Sequence, residues 1–161
     1  MISCRFRTHE EADHDSRIED LETLWHSCIK TIRKKVSIYT NSYGSRIAAQ
    51  WLSMYPKRLK YIDKLVLMHP ITNLKRTLEW ILIGYQLLPE NITTQYFLDQ
   101  IRIPITIVYS EDDIFLDRDW LTWAEKRRNV KLICLPRDET NYRWQAHFTS
   151  HYQEGWLEKI T

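Results

Sequence analysis

Apolar positions recur along this chain with two spacings. Ile18, Leu21, Leu24, Trp25, Cys28, Ile29 and Ile32 fall three and four apart, which predicts an amphipathic helix over about 16–34, opened by the capping box Ser16-Arg-Ile-Glu19. Val36 to Thr40 is a short β-branched run and predicts a strand. Ile47, Ala48, Trp51, Leu52 and Tyr55 share one face of a helix over 45–55 that Pro56 stops. Leu65 to Met68, Ile103 to Tyr109 and Val130 to Leu135 are unbroken apolar runs, as expected for strands covered on both faces. Trp120 to Arg127 predicts the helix between the last two strands, and His147 to Ile160 a terminal helix.

Strands alternating with helices imply an α/β fold of about four parallel strands flanked by helices and joined by right-handed crossovers. Between the second and third strands, residues 73–101 exceed an ordinary crossover. Leu74, Leu78, Ile81 and Leu82 form a helical pattern there, Leu87-Leu88-Pro89 follows, and a second short helix is expected over 94–101. The segment is either a cap-like helical insertion over a site or an ordinary packing helix with a long tail. Residues 1–15 are a polar N-terminal segment, and 16–161 read as a single domain, because no repeat, low-complexity tract or flexible linker divides them.

Composition narrows the function classes. With 161 residues, 43% of them hydrophobic, the chain can bury one core. Lys+Arg 23 against Asp+Glu 21 leaves a formal +2 with the signs interspersed, so no footprint for nucleic acid emerges. The densest basic group, Lys30, Arg33, Lys34 and Lys35, is expected to close the first helix, where cations meet the C-terminal dipole. Cys4, Cys28 and Cys134 lack C-x-x-C spacing and read as core thiols in a reducing compartment. No apolar run approaches the ~20 residues of a membrane span, and no secretory h-region follows Met1, so the expected location is cytoplasmic. Asn91-Ile-Thr93 then fits a glycosylation acceptor only by chance.

Candidate chemistry sits at the ends of the predicted strands. Thr40-Asn-Ser42-Tyr-Gly44 places a serine on an abrupt turn from strand to small-residue helix, the arrangement of a nucleophile elbow. Ser42 would hold its Oγ clear of the sheet, with the backbone N–H of Tyr43 offered to a developing oxyanion. A plain turn or cap role for Ser42 is the alternative. The elbow pattern has glycine two places before the serine, whereas this chain has Thr40, which must be accommodated by repacking or by strain. After the third strand, Ser-Glu-Asp-Asp113 supplies a candidate orienting acid in Asp113, with Asp112 its rival and Glu111 solvated. The order serine, acid, histidine then points to His147 as base. His147 and His151 could also meet a metal one helical turn apart, but no carboxylate completes H-E-x-x-H, so no metal or cofactor is expected. His9, His14, His26 and His69 read as surface, core or loop histidines.

Through the elbow, through Ile103-Pro104 leading to Asp113, and through the late His147, residues 16 to 160 resemble the α/β-hydrolase family. Met68-His-Pro-Ile-Thr-Asn-Leu-Lys-Arg-Thr-Leu-Glu79 is similar to a stretch in the acyl-transferase and acyl-carrier-protein thioesterase branch of bacterial bioluminescence operons, whose elbow also lacks the first glycine. The resemblance implies a partial α/β-hydrolase fold, N-terminally truncated. It also implies transfer or hydrolysis of an apolar acyl group from an ester or thioester through an acyl-serine intermediate, the acyl chain lying against Leu78, Leu82, Leu87 and Leu88. The family's glycine-containing loop with a second oxyanion donor has no counterpart before Gly44, so a catalytically inactive chain that binds a ligand or protein partner is the other reading. Truncation would also leave the strand at 36–40 as an edge open to self-association or to a partner chain.

Overall fold

The computed structural model describes residues 14–28, 31, 32, 34–72, 94–111, 113 and 115–135. In chain order these are α1 (His14–Ser27), β1 (Val36–Asn41), α2 (Tyr43–Met54), a 3₁₀ turn (Pro56–Tyr61), β2 (Ile62–Met68), α3 (Thr94–Leu98), β3 (Ile105–Ser110), α4 (Arg118–Glu125) and β4 (Val130–Leu135). The four strands form one parallel sheet in the order β1-β2-β3-β4. The expected fold class, about four parallel strands flanked by helices, is the one observed.

Strand order and helix placement follow from one another. When consecutive parallel strands are neighbours and every crossover is right-handed, all connecting helices fall on the same face. Accordingly Ile38, Leu65, Leu67, Ile105, Ile107 and Leu132 share a core with Ile18 and Trp25 of α1, Ile47, Trp51 and Leu52 of α2, Phe97 and Leu98 of α3, and Trp120 and Ala124 of α4. The alternate residues Val66, Met68, Val108, Ile133 and Leu135 form a second cluster on the opposite face. Leu65, Val66 and Leu67 are thus all buried, which explains why β2 reads in sequence as an unbroken apolar run. β1, an edge among the described residues, half-buries alternate positions and exposes Ser37, Tyr39 and Asn41.

Several boundaries differ from the sequence expectation. α1 ends at Ser27 instead of running to 34: the Ser27 hydroxyl donates to the Thr23 carbonyl at 2.7 Å and the Thr31 hydroxyl to the Cys28 carbonyl at 2.7 Å. Side chains capturing carbonyls in this way compete with helix propagation, and Ile32 is left exposed. Lys34 and Lys35 therefore lie on the exposed approach to β1 and close no helix; Lys30 and Arg33 fall outside the described residues. β2 starts three residues earlier than expected because Ile62 pairs with Val36 and is itself buried. The expectation of core thiols is overturned for Cys134, which is exposed, and Cys28 is only half-buried. The helical pattern through Leu74, Leu78, Ile81 and Leu82, the terminal helix at 147–160, Cys4 and Asn91 lie outside the described residues.

Candidate active site

Parallel pairing brings the carboxyl ends of three strands to one level: Asn41 is opposite Met68, and Met68 is opposite Val108. Open α/β sheets bind their ligands at such ends. Ser42 follows β1, His69 follows β2, and Asp113 lies three residues beyond β3.

Ser42 joins β1 to α2 with φ 51° and ψ −124°. This lies outside the left-handed helical well that a non-glycine residue can visit at low cost, and holding it requires about 1–3 kcal/mol from the surroundings. The restraints are visible. The Ser42 N–H donates to the Met68 carbonyl at 2.9 Å, and the Ser42 carbonyl accepts from Ser45 N–H at 3.1 Å. The Ser42 side chain makes no capping bond to α2, so the cap alternative is not what the geometry shows. Tyr43 opens α2, which puts its N–H in the first helical turn, where donors point beyond the helix end. The Arg17 guanidinium lies over the Tyr43 ring, 5.5 Å from its centroid.

Thr40 is fitted into the elbow by hydrogen bonding. Its hydroxyl donates to the Val66 carbonyl at 3.1 Å and accepts from the Ser45 hydroxyl, also at 3.1 Å. The side chain that replaces the first glycine of the motif therefore ties the edge strand, its neighbour and α2 together, and leaves both hydroxyls satisfied.

Asp113 is buried and faces a histidine other than the one that sequence order names. Asp113 is buried at the end of a tight turn closed by its own N–H to the Ser110 carbonyl, 3.1 Å. One carboxylate oxygen, Oδ1, accepts the Phe115 N–H at 2.9 Å; the other, Oδ2, faces His69 Nδ1 at 3.3 Å. The His69 and Asp113 side chains are 1% and 0% exposed. His69 takes φ 45°, and its N–H donates to the Val108 carbonyl at 2.8 Å. The reading of His69 as an ordinary surface, core or loop histidine misses this pairing. The available signal was its position, a histidine directly after a continuously apolar strand and before Pro70.

A second set of bonds holds these loops rigid. The Thr72 hydroxyl donates to the Phe115 carbonyl at 3.2 Å and accepts the Asp117 N–H at 2.8 Å, which fastens the segment after His69 to the loop that carries Asp113. Thr94 donates to the Ile71 carbonyl at 3.1 Å. Asp117 caps α4 through Asp119 N–H at 3.0 Å, and Glu111 is exposed. His147, His151, Asp112, Leu78, Leu82, Leu87 and Leu88 lie outside the described residues. Among the described residues no group of three His, Cys, Asp or Glu is placed to hold a metal, and no helix is long and apolar enough to cross a membrane. An open concavity of about 540 Å³ lined by Glu19, Glu22, Thr23, His26, Ser27 and Tyr55 shares no residue with the Ser42 cluster.

A strained serine between a parallel strand and a helix, beside a buried histidine–aspartate pair, can be compared with solved structures. Est1E from Butyrivibrio proteoclasticus superposes with a TM-score of 0.58 at 19% identity, over 92% of this chain and 71% of that one. The Pyrococcus furiosus esterase Pf2001 gives 0.59 at 18% identity, over 91% and 60%. Alpha/beta hydrolase domain-containing protein 10 from mouse gives 0.53 at 10% identity, over 81% and 63%. This is an α/β-hydrolase fold. No protein-family model and no curated protein matches the sequence. The chain spans 60% to 71% of the length of these three structures, and the four described strands are part of that fold.

Proposed function

We propose that this chain is a serine hydrolase or acyltransferase that acts on an ester or thioester of an apolar acyl group, free or carrier-linked. The observation that carries the proposal is the backbone of Ser42, held at φ 51° and ψ −124° one strand away from the buried His69–Asp113 pair. Strain of that size is retained where it aims a side chain. In the proposed step the Ser42 Oγ forms a bond to the acyl carbon while its proton passes to an imidazole. The C–O or C–S bond then breaks, and the leaving group takes that proton. The Tyr43 N–H stabilises the oxyanion. Water or an acceptor alcohol then releases the acyl group by the reverse sequence.

Asp113 orients the imidazole. Sequence order names His147 for that role, and the contact between Asp113 and His69 favours His69. A carboxylate on Nδ1 fixes the tautomer that leaves Nε2 as base. Leu78, Leu82, Leu87 and Leu88 are proposed to receive the acyl chain. Association through β1, an edge among the described residues, with a second copy or another chain, and a reducing cytoplasmic setting consistent with free Cys28 and Cys134 complete the proposal. The alternative is a chain that binds an acyl ligand without turnover. A fluorophosphonate probe separates the two: labelling that Ser42→Ala abolishes supports the enzyme, and folded parent protein that stays unlabelled refutes it.

A further inference from the structure

Arg46 stands one helical turn after Ser42 on α2, in the part of that helix that faces the core. It is 1% exposed, and its Nε and Nη1 are buried without a hydrogen-bond partner. None of the ion pairs among the described residues includes it, whereas Arg58 meets Glu22 and Arg127 meets Asp99. Its guanidinium lies over the Phe97 ring, 5.2 Å from the centroid, so the aromatic face shields the cation but offers its N–H groups no acceptor. An arginine cannot escape burial by losing its proton, so a fully buried one with unpaired nitrogens is strongly disfavoured unless something completes it. Burial lowers the Arg46 pKa, which is the cost of that isolation expressed on the charge itself.

Its place relative to the serine says what could complete it. Four residues of helix separate Arg46 from Ser42 by about 6 Å along the axis, at the end of the sheet where the chemistry lies. Phe97 belongs to α3, which closes the long β2–β3 connection, and Thr94 at the start of α3 is bonded to Ile71, two residues after His69. The guanidinium therefore lies where α2 meets α3, on the helix that Ser42 opens into. We propose that Arg46 binds an oxyanion, a carboxylate or phosphate, carried on the acyl portion of the substrate of Ser42. This rests on the serine-hydrolase reading for the identity of the ligand. Planar bidentate pairing suits guanidinium to either anion.

The test uses the full chain carrying Ser42→Ala, so that binding is read without turnover. The probes are monoethyl glutarate and ethyl pentanoate, which differ by a carboxylate in place of a methyl group. Tighter binding of monoethyl glutarate by about tenfold or more is expected, with Arg46→Met abolishing the difference and Arg46→Lys keeping part of it. Competition by inorganic phosphate would assign the site to oxyanions generally, and absence of competition would assign it to carboxylates. Arg46→Met should also melt at or above the temperature of the parent without ligand, because removing an unpaired buried charge relieves the fold. Equal binding of the two esters by the Ser42→Ala chain, or a carboxylate preference that survives when Arg46→Met is added to it, overturns the proposal. Loss of stability in Arg46→Met also counts against it, since that marks a structural arginine. A parent that hydrolyses no ester, while the Ser42→Ala chain still shows the Arg46-dependent preference, overturns the enzyme reading and leaves the anion site standing.

Discussion

Replacing Ser42 by glycine and by alanine isolates the backbone strain of the elbow. Both variants lack the hydroxyl, so any bond it makes cancels between them, and both should lose labelling by a fluorophosphonate. They differ in what φ 51° and ψ −124° require of a Cβ. Alanine keeps a strain of about 1–3 kcal/mol, which glycine releases. Glycine in turn loses about 0.5–1 kcal/mol more conformational entropy on folding than alanine does. The difference leaves Ser42→Gly more stable than Ser42→Ala by up to about 2.5 kcal/mol, and a domain of this size shifts in melting temperature by about 2–4 °C per kcal/mol. Urea unfolding monitored by tryptophan fluorescence reads the difference directly. A glycine variant less stable than the alanine variant by about 1 kcal/mol, the ordinary penalty at an unstrained position, would refute the elbow geometry.

Three further outcomes follow from the same contacts. His69→Leu should destabilise by about 1–3 kcal/mol, because it removes the polar group that faces a buried Asp113 carboxylate oxygen; a double-mutant cycle with Asp113→Asn should show coupling of about 0.5–3 kcal/mol, and additive effects would contradict the pairing. Thr40→Val should cost about 1–3 kcal/mol by stranding the Ser45 hydroxyl and the Val66 carbonyl while Thr40→Ser costs less, an ordering that equilibrium unfolding can check. Glu22 is pushed up by burial but pulled further down by hydrogen bonds from Trp51, Arg58 and His26 and by the Arg58 charge, for a net lowering from 4.5. A carboxylate lowered in the folded state contributes stability above its unfolded pKa and loses it as pH falls through the folded value. Stability of the parent should therefore fall more steeply than that of Glu22→Gln once pH drops below about 4.5, and parallel curves in acid titration of the unfolding free energy would exclude this role.

What could be read from the sequence was local. β4 is placed at Val130–Leu135 by its apolar run alone, and the elbow is legible because its turn chemistry is confined to five residues, Thr40 to Gly44. Ile29 and Ile32 prolong the helical spacing of α1 past its end, because periodicity cannot register a hydroxyl such as that of Ser27 capturing a carbonyl. The pairing of His69 with Asp113 spans 44 residues and depends on β2 lying beside β3, a fact of sheet order that neither local sequence carries. The isolation of Arg46 is equally nonlocal, since a charged residue in the first turn of a helix ordinarily faces water.

Sheet order also weighs the two candidate bases against each other. Among the described residues β2 lies between β1 and β3, so a residue at its carboxyl end adjoins Ser42 on one side and the Asp113 loop on the other. His69 needs no further chain to reach between them. A histidine arriving after β4 starts three strands from Ser42, about 14 Å at a spacing of about 4.8 Å per strand, and must cross the end of β3 before it meets the serine. A loop taking that path would share an Asp113 carboxylate that already accepts the Phe115 N–H and faces His69. If His69 is the base, His69→Gln should slow fluorophosphonate labelling by about 10³-fold or more while His147→Gln leaves it within a few-fold. The reverse pattern, with His69→Gln folded and fully reactive, would return the role to His147 and reduce His69 to a residue that positions Asp113.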